Sequence, residues 1–138
     1  MIKVFLDSDV ILDFLLKRGP FTGAAGVIFS LGERGKLRLL TSTLSFMNVH
    51  SIAGGATRQA TARSLSQKLR ALVDLLPVGA EHVDAAFASG LTDVEDYIQY
   101  AVARENHADY LITQNTDDFP HDPAFVLTPT VLIDTLPG

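Results

Sequence analysis

Acidic residues cluster at two points in the second half of the chain, and their types and spacing suit the binding of a divalent metal. Asp93, Glu95 and Asp96 stand directly before an apolar run with helical spacing, which predicts a helix with Asp93 as its N-cap. The apolar segment 109–113 predicts a buried strand, and the polar segment 114–118 follows it. Carboxylates brought together from separate segments repel one another unless a cation lies among them, and Mg²⁺ prefers such oxygen ligands. The alternative is that these acids only cap a helix and decorate a turn, and this region alone leaves both interpretations open.

Two more carboxylates lie at the junction between the first predicted strand, residues 2–6, and the helix that follows it. We expect Asp9 to be the N-cap of that helix. Asp7 ends the strand and is not needed for capping, and a carboxylate buried there costs free energy unless it is paired or bound to metal. Asp7 is therefore the stronger candidate for a metal ligand. Asp13, one turn into the helix, is expected either to lean towards the same site or to hydrogen-bond the loop near Arg18.

Strand and helix signals alternate along the whole chain. The predicted strands are residues 2–6, 37–41, 75–78, 109–113 and 125–127, with helical segments between them. This alternation predicts an α/β fold, in which a mostly parallel sheet is covered by helices on both faces, in a single domain spanning residues 1–138. In open parallel sheets the ligand crevice lies outside the carboxyl ends of the strands, where Asp7 and Asp118 are expected.

Two helices between the second and third strands are predicted from apolar spacing. Ser42 or Thr43 can cap the first of them, in which Asn48 falls on an early turn. The apolar residues expected to point inwards from this helix are Leu44, Met47 and Ile52. The second is a longer amphipathic helix that we place between Thr57 and Leu76, with a partly basic outer side.

Composition limits the class of protein. A chain of 138 residues with 47% hydrophobic residues fits one globular domain, and without cysteine neither a disulfide framework nor a thiolate metal site is possible. No signal-like or transmembrane run is present, which favours a cytoplasmic protein without a membrane partner. The net charge of −5 argues against binding nucleic acid by charge alone. It does not exclude a nuclease, because bound metal would invert the local sign of the charge.

Motifs for other kinds of catalysis are absent from the sequence. The four histidines do not fall at the spacing of metal ligands, and we expect them to be surface or loop residues; they are His50, His82, His107 and His121. No Ser-His-Asp order, glycine-rich phosphate loop or Walker motif is visible. The acids therefore remain the candidates for chemistry.

With acidic residues at three comparable points, the chain resembles the PIN domain family, and in particular its VapC-like toxins. The similarity runs through nearly the whole length and is carried by four segments in the family's order and spacing. These segments are Val4–Asp13, Arg18–Phe21, Asp93–Gln99 with Ala103, and Leu111–Phe119.

The resemblance implies a three-layer α/β/α nuclease fold and cleavage of RNA by a metal-activated water. Carried over position by position, Asp7 and Asp96 match the family's metal-binding acids, and Asp118 matches the last acid. Asn115 and Thr113 match the polar residues beside it. The implied metal ligands are thus Asp7, Asp96 and Asp118, with Mg²⁺ or Mn²⁺ as the metal.

Three further positions complete the candidate site. Asp93, Asp9 or Asn115 could position ligands or water. The chain departs from the family pattern in having Asp9 where many members have Asn, and Asn48 where many have a Glu in the third helix. The loss of that carboxylate lowers the formal charge of the site and puts tight binding of two metal ions in question.

The leading expectation is a Mg²⁺- or Mn²⁺-dependent endoribonuclease that is the toxin of a type II toxin–antitoxin pair. As the resemblance implies, its partners would be an RNA substrate, a small antitoxin and a second copy of the chain in a homodimer. The alternative is a catalytically weak or inactive PIN-like domain that binds RNA or a protein. A third possibility, a small-molecule metallohydrolase or phosphoacceptor domain, lacks the Lys that an acyl-phosphate receiver would need near the last strand.

Overall fold

A parallel sheet of five strands forms the centre of the molecule, as described by a computed structural model for residues 1–137. The strands are β1 (Ile2–Leu6), β2 (Leu37–Ser42), β3 (Asp74–Leu76), β4 (Tyr110–Ile112) and β5 (Val126–Leu127). The helices are α1 (Ser8–Leu15), α2 (Thr22–Glu33), α3 (Thr43–Ala56), α4 (Gln59–Leu72), α5 (Ala80–Ala88), α6 (Val94–Glu105) and α7 (Pro129–Thr135). Two short 3₁₀ turns cover Gly19–Phe21 and Thr116–Asp118.

The strand order is β3-β2-β1-β4-β5, and every neighbouring pair is parallel. The chain builds one half of the sheet outwards from β1 through β2 and β3, then returns to place β4 on the other side of β1. Leu6 pairs with Ile112, so the strands β1 and β4 end side by side. This is the point at which the direction of strand addition reverses, where open α/β sheets form their ligand crevices.

Helices cover both faces of the sheet, which confirms the three-layer α/β/α prediction. The alternation along β1 shows the two faces directly, because Val4 and Leu6 belong to one apolar cluster and Phe5 to the other. The first cluster is formed with α1, α2, α3, α4 and α7, and the second with α5 and α6. Within residues 1–137, no helix combines the length and apolar character needed to cross a membrane.

The buried face of α3 differs from the expected one. Met47 and Ile52 are 55% and 47% exposed, so the prediction that they point inwards is wrong. The buried residues are Ser45, Val49 and Ala53, which recur every four residues on the side that packs against its neighbours. Small side chains at two of these positions let α3 approach closely, whereas Met47 and Ile52 lie on the outer face.

The long helix predicted from Thr57 to Leu76 is shorter than expected. The helix α4 ends at Leu72, because the backbone becomes extended at Val73 and the next three residues pair with β2. Apolar helical spacing continued through this segment, but the hydrogen bonds of the sheet determine its conformation. The third strand, predicted at residues 75–78, accordingly begins one residue earlier and ends two residues earlier, at Asp74–Leu76.

Candidate metal centre

Asp7 lies where β1 passes into α1, and it is the N-cap of that helix. Its backbone is extended (φ −72°, ψ 158°), and its Oδ1 accepts a hydrogen bond of 2.8 Å from the backbone N–H of Ser8. The prediction that Asp9 caps the helix is therefore wrong, since Asp9 falls in the first helical turn. The strand partner decides this, because the N–H of Asp7 still bonds to the carbonyl oxygen of Ile112 and holds Asp7 in the extended conformation of a cap.

The second carboxylate oxygen of Asp7 is held by β4. Oδ2 accepts a hydrogen bond of 2.8 Å from the hydroxyl of Thr113, and only 9% of Asp7 is exposed. Burial, and then the negative charge of Asp9, raise the pKa of Asp7 to about 7, against the opposing hydrogen bonds from Thr113 and Ser8. Asp7 is thus a buried, oriented carboxylate that binds a proton readily when no cation is near it.

Asp9 joins α1 to the loop after β4. Its Oδ2 accepts hydrogen bonds of 3.0 Å from the backbone N–H of Gln114 and from Nδ2 of Asn115. Its Oδ1 is buried and has no hydrogen-bond partner among residues 1–137. Burial raises the pKa of this carboxyl as well. Asn115, a predicted site residue, is therefore held beside the first acidic point, where its own N–H also donates to the hydroxyl of Thr113.

The start of α6 brings further carboxylates to the carboxyl ends of β1 and β4. Asp93 is the N-cap, as predicted, and its Oδ1 accepts a hydrogen bond of 3.0 Å from the N–H of Asp96. Asp118 ends the 3₁₀ turn after β4. Carboxylate oxygens of Asp93, Asp96 and Asp118 lie within 4.8 Å of one another, the spacing at which such groups can bind one ion.

Asp96 is the carboxylate that connects this trio to Asp7. Burial raises the pKa of Asp96 to about 8, and the charge of Asp7 is the next largest cause, followed by contributions from Asp93 and Asp118. Asp7 lies outside the trio, but its charge acts directly on Asp96. Four of the five residues predicted from the sequence therefore interact electrostatically around Asp96, and the fifth, Asn115, lies on the wall of the same cleft.

An open cleft of about 500 Å³ lies in front of these residues. It is lined by four carboxylates, those of Asp7, Asp9, Glu95 and Asp96. The opposite wall comes from α3, where Nδ2 of Asn48 donates a hydrogen bond of 3.4 Å to Oε2 of Glu95. The cleft is thus walled by α1, α3 and α6.

A buried polar contact fixes α6 against α3 beneath this cleft. The hydroxyl of Ser42 donates to Oε1 of Gln99 and accepts a hydrogen bond of 2.9 Å from the N–H of Ser45. Ser42 is therefore the N-cap of α3, one of the two residues proposed for that role. Gln99 lies one turn after Glu95 on α6 and also lines the cleft.

Glu95 and Gln114 lie at the site and were not predicted from the sequence as functional residues. Glu95 stands in the acidic helix start, but its exposure to the cleft depends on where α3 packs. Asp13 takes the second of its two predicted roles, since it accepts a hydrogen bond from Arg18, and Gln114 donates to its other oxygen. The contact between Asp13 and Arg18 could be expected from the sequence, because the two residues flank the end of α1.

The histidines do not line the cleft within residues 1–137, but two of them are not the surface or loop residues that we expected. His82 is buried in α5, where Nε2 contacts Glu105 and Nδ1 accepts a hydrogen bond from the N–H of Gly79. His50 is half-buried in α3, with Nδ1 2.7 Å from the hydroxyl of Ser66 on α4. Both join neighbouring helices.

The donor set of the site fits a hard divalent cation. All the candidate ligand atoms are carboxylate or amide oxygens, without sulfur or imidazole, which is the chemistry that Mg²⁺ and Mn²⁺ favour. Burial, and then the neighbouring negative charges, raise the pKa of Asp7 and Asp96. A cation bound among these carboxylates would favour their charged forms.

Comparison with known proteins gives one family and several similar folds. A family model described as a PIN domain matches residues 3–117. No curated protein sequence matches this chain significantly. The fold is similar to that of DNA-bound VapBC from Salmonella typhimurium, with a TM-score of 0.69 and 15% identity over 92% of this chain and 97% of that chain.

Two further solved structures have the same fold. A toxin–antitoxin complex from Klebsiella pneumoniae matches with a TM-score of 0.66 and 22% identity over 91% of this chain and 97% of that chain. VapC20 from Mycobacterium tuberculosis, described as a Sarcin-Ricin loop cleaving toxin, matches with a TM-score of 0.63 and 14% identity over 78% of this chain and 86% of that chain. At these identities the likeness establishes the fold.

Proposed function

The chain belongs to the PIN domain family, and from this premise we propose that it is a divalent-metal-dependent endoribonuclease, the toxin of a type II toxin–antitoxin pair. The observation that carries the proposal is the convergence of Asp93, Asp96 and Asp118 within 4.8 Å, beside the buried carboxylate of Asp7. These acids come from three separate segments and meet at the edge of the sheet where β1 and β4 end.

Asp7, Asp96 and Asp118 are the proposed metal ligands, with Asp93 beside them. A bound Mg²⁺ or Mn²⁺ ion supplies a Lewis acid that activates water and stabilises the charge on the departing oxygen of a phosphodiester. The surrounding residues hold the ligands in place. Thr113 orients Asp7, and the N-cap bond between Asp93 and the N–H of Asp96 fixes the first turn of α6.

Asn115 is proposed to act beside the ligands and not as one of them. Its Nδ2 is bonded to Asp9, so its amide oxygen remains available to orient water or substrate in the cleft. Asp9 itself has one oxygen occupied by the loop after β4 and one that is buried. Its role is accordingly to position that loop, including Asn115 and the turn that presents Asp118.

The similar structures support the proposed substrate and partners. One of them is described as cleaving the Sarcin-Ricin loop, and others are toxin–antitoxin complexes, some bound to DNA. We accordingly propose RNA as the substrate of this chain, a small antitoxin as its protein partner and a homodimer as its assembly. The chain would act as one PIN domain in the cytoplasm.

The test is cleavage of a mixed RNA pool by the purified protein, with Mg²⁺, with Mn²⁺ and with a chelator. We expect cleavage only with metal, and we expect Asp7→Asn and Asp96→Asn to abolish it. Asp84→Asn, an exposed acid of α5 away from the cleft, is the matched control and should cleave as the wild type does. Metal-independent cleavage, or full activity in both site variants, would contradict the proposal.

The second candidate is a catalytically weak PIN domain that binds RNA or a protein, and Asn48 is the observation that favours it. The resemblance implies a Glu at this position, and the amide of Asn48 instead contacts Glu95. A protein that binds Mn²⁺ in calorimetry but cleaves no RNA in the same buffer would support this candidate over the first.

A further inference from the structure

Arg18 lies on the wall of the acidic cleft, and among the cleft-lining residues that the structure describes it has the only cationic side chain. Asp7, Asp9, Glu95 and Asp96 line the same cleft. An RNA strand entering it would meet four carboxylates, and a metal ion would neutralise them only locally. A fixed cation on the wall is therefore the group best placed to attract a phosphate.

The guanidinium of Arg18 is held by a buried carboxylate. Its Nε and Nη2 both lie 3.2 Å from Oδ1 of Asp13, which is only 3% exposed, and Nη2 also donates to the carbonyl oxygen of Asp9 at 3.3 Å. The other oxygen of Asp13 accepts a hydrogen bond of 3.3 Å from Nε2 of Gln114. The carboxylate that orients Arg18 is thus itself fixed from two sides.

The backbone of Arg18 is fixed as well. Its N–H donates to the carbonyl oxygen of Asp13 at 3.1 Å, and its own carbonyl oxygen accepts a hydrogen bond of 2.9 Å from the hydroxyl of Thr22. Gly19, the next residue, has φ +48°, a conformation that favours glycine, and Pro20 follows in the 3₁₀ turn. The Arg-Gly-Pro-Phe segment therefore builds a rigid corner that presents this side chain.

One nitrogen of the guanidinium, Nη1, remains available for a ligand. Arginine has five N–H donors in a planar fork, and within residues 1–137 Nη1 donates no hydrogen bond. The side chain is 44% exposed. The contacts with Asp13 and with the carbonyl oxygen of Asp9 use Nε and Nη2 only. They leave the two N–H groups of Nη1 on the wall of the cleft, where a charged donor can bond to a phosphate oxygen.

We propose that Arg18 is an RNA-binding residue whose Nη1 donates hydrogen bonds to a phosphate flanking the bond to be cut. This inference rests on the proposed ribonuclease function and adds the residue that holds the substrate strand. It assigns a role to the Arg-Gly-Pro-Phe segment, which the metal site does not use. The contact contributes binding and no covalent step.

The test measures RNA binding with cleavage switched off. In an Asp96→Asn background, the affinity for a short fluorescein-labelled single-stranded RNA of mixed sequence is measured by fluorescence anisotropy over a series of KCl concentrations. Arg18→Gln alone would leave the buried Asp13 without its cation, which is strongly destabilising. Two variants are therefore informative. The double variant Asp13→Asn/Arg18→Gln removes both charges, and Arg18→Lys keeps a positive charge beside Asp13.

We expect the double variant to bind RNA about tenfold more weakly, with a salt slope smaller by about 0.7, the loss of one phosphate contact on a single strand. Arg18→Lys should keep the slope and lose affinity, because an ammonium bonded to Asp13 has no second nitrogen that can reach the phosphate at the same time. Asp13→Asn alone keeps Arg18 and an acceptor oxygen beside it, so it should lose less affinity than the double variant and keep the salt slope. Arg34→Gln, which removes an exposed cation at the end of α2, is the matched control and should bind as the background protein does.

Equal affinity and equal slope in the background protein, the double variant and the Lys variant would overturn the assignment, as would an absence of RNA binding by the background protein. Thermal unfolding of each variant accompanies the binding data. Cleavage of the RNA pool by the wild-type chain, run in parallel, separates the two claims. If the wild type cleaves RNA with metal but the Arg18 variants bind RNA as tightly as the background protein, only this inference is contradicted. If the wild type does not cleave RNA, the proposed function is contradicted.

Discussion

The hydroxyl of Thr113, the first residue after β4, donates a hydrogen bond of 2.8 Å to Oδ2 of Asp7, the first residue after β1. The two strands are neighbours in the sheet, so each carboxyl end supplies one half of this bond. The bond turns the carboxylate of Asp7 in a fixed direction while both oxygens keep lone pairs for another ligand. The proposed metal centre is thereby attached to the most buried part of the fold.

Removing this hydroxyl should weaken both the fold and the site. Thr113→Val keeps the branched shape and leaves Oδ2 of Asp7 without its donor, which should lower the free energy of unfolding by about 1–3 kcal/mol. Denaturant unfolding measures this loss, and calorimetry with Mn²⁺ should show weaker binding because the ligand is less well oriented. Thr113→Ser, which keeps the hydroxyl, is the control for the Mn²⁺ affinity. Equal Mn²⁺ affinity in wild type and Thr113→Val would contradict a positioning role.

The metal-free protein should lose stability as the pH rises. The folded-state pKa of Asp7 is about 7 and that of Asp96 about 8, both above the ordinary value of 3.8, so the folded protein binds more protons than the unfolded chain in this range. The stability that these two groups contribute to the folded protein is fully present below their ordinary pKa of 3.8. It is lost as the pH rises through their folded-state pKa values. Thermal unfolding in chelator should therefore show a falling Tm between about pH 5 and about pH 8.

Asp96→Asn provides the control for this pH dependence. The substitution removes the group with the higher pKa, so the fall in Tm should become shallower. Saturating Mn²⁺ should raise the Tm of the wild type most at the alkaline end, because protons no longer compete for the carboxylates. A Tm that rises steadily with pH in chelator would contradict the assignment of raised pKa values to this site.

Asn48→Glu should make metal binding tighter and the metal-free protein less stable. The new carboxylate would replace an amide that contacts Glu95, so two like charges would face each other across the cleft in the absence of a cation. We expect a lower Tm in chelator and a larger rise in Tm on adding Mn²⁺ than in the wild type. Asn48→Gln, which keeps the amide, is the control. A Mn²⁺-induced shift no larger than that of the wild type would show that position 48 is outside the reach of the metal.

Ser42→Ala should destabilise the junction of α3 and α6. The substitution removes the N-cap of α3 and leaves Oε1 of Gln99 without the hydroxyl that donates to it, for an expected loss of about 2 kcal/mol. Denaturant unfolding is the measurement. Ser64→Ala, at an exposed position of α4, should leave the free energy of unfolding nearly unchanged. If Ser42→Ala and Ser64→Ala had similar free energies of unfolding, the buried contact between Ser42 and Gln99 would contribute nothing measurable to stability.

Features decided by neighbouring residues were predictable from the sequence, and those decided by packing were not. Asp93 could be recognised as an N-cap because the acids stand directly before an apolar helical run, and its hydrogen bond to Asp96 confirms it. The choice between Asp7 and Asp9 failed because it depends on how far β1 pairs with β4, a strand that lies a hundred residues later.

Burial on α3 and the lining of the cleft were also set by tertiary contacts. Met47 has the hydropathy of a core residue, but the helix turns its small residues inwards because they allow closer packing. Glu95 and Asp96 are adjacent in sequence with the same charge, and only the position of α3 brings Asn48 against Glu95. The parallel sheet and the three layers, by contrast, follow from the alternation of strands and helices, and the prediction of the fold class was correct.

The contact between Asp7 and Thr113 spans 106 positions of the chain, and this separation has a consequence for synthesis on the ribosome. Asp7 emerges early, but β4 and the turn that carries Asp118 emerge only after most of the protein has been translated. A nascent chain that ends before β4 and this turn lacks the residues that complete the cleft. The proposed nuclease would therefore stay harmless to its own messenger and ribosome through most of translation, and its activity would begin after the turn at Thr116–Asp118 has folded against β1.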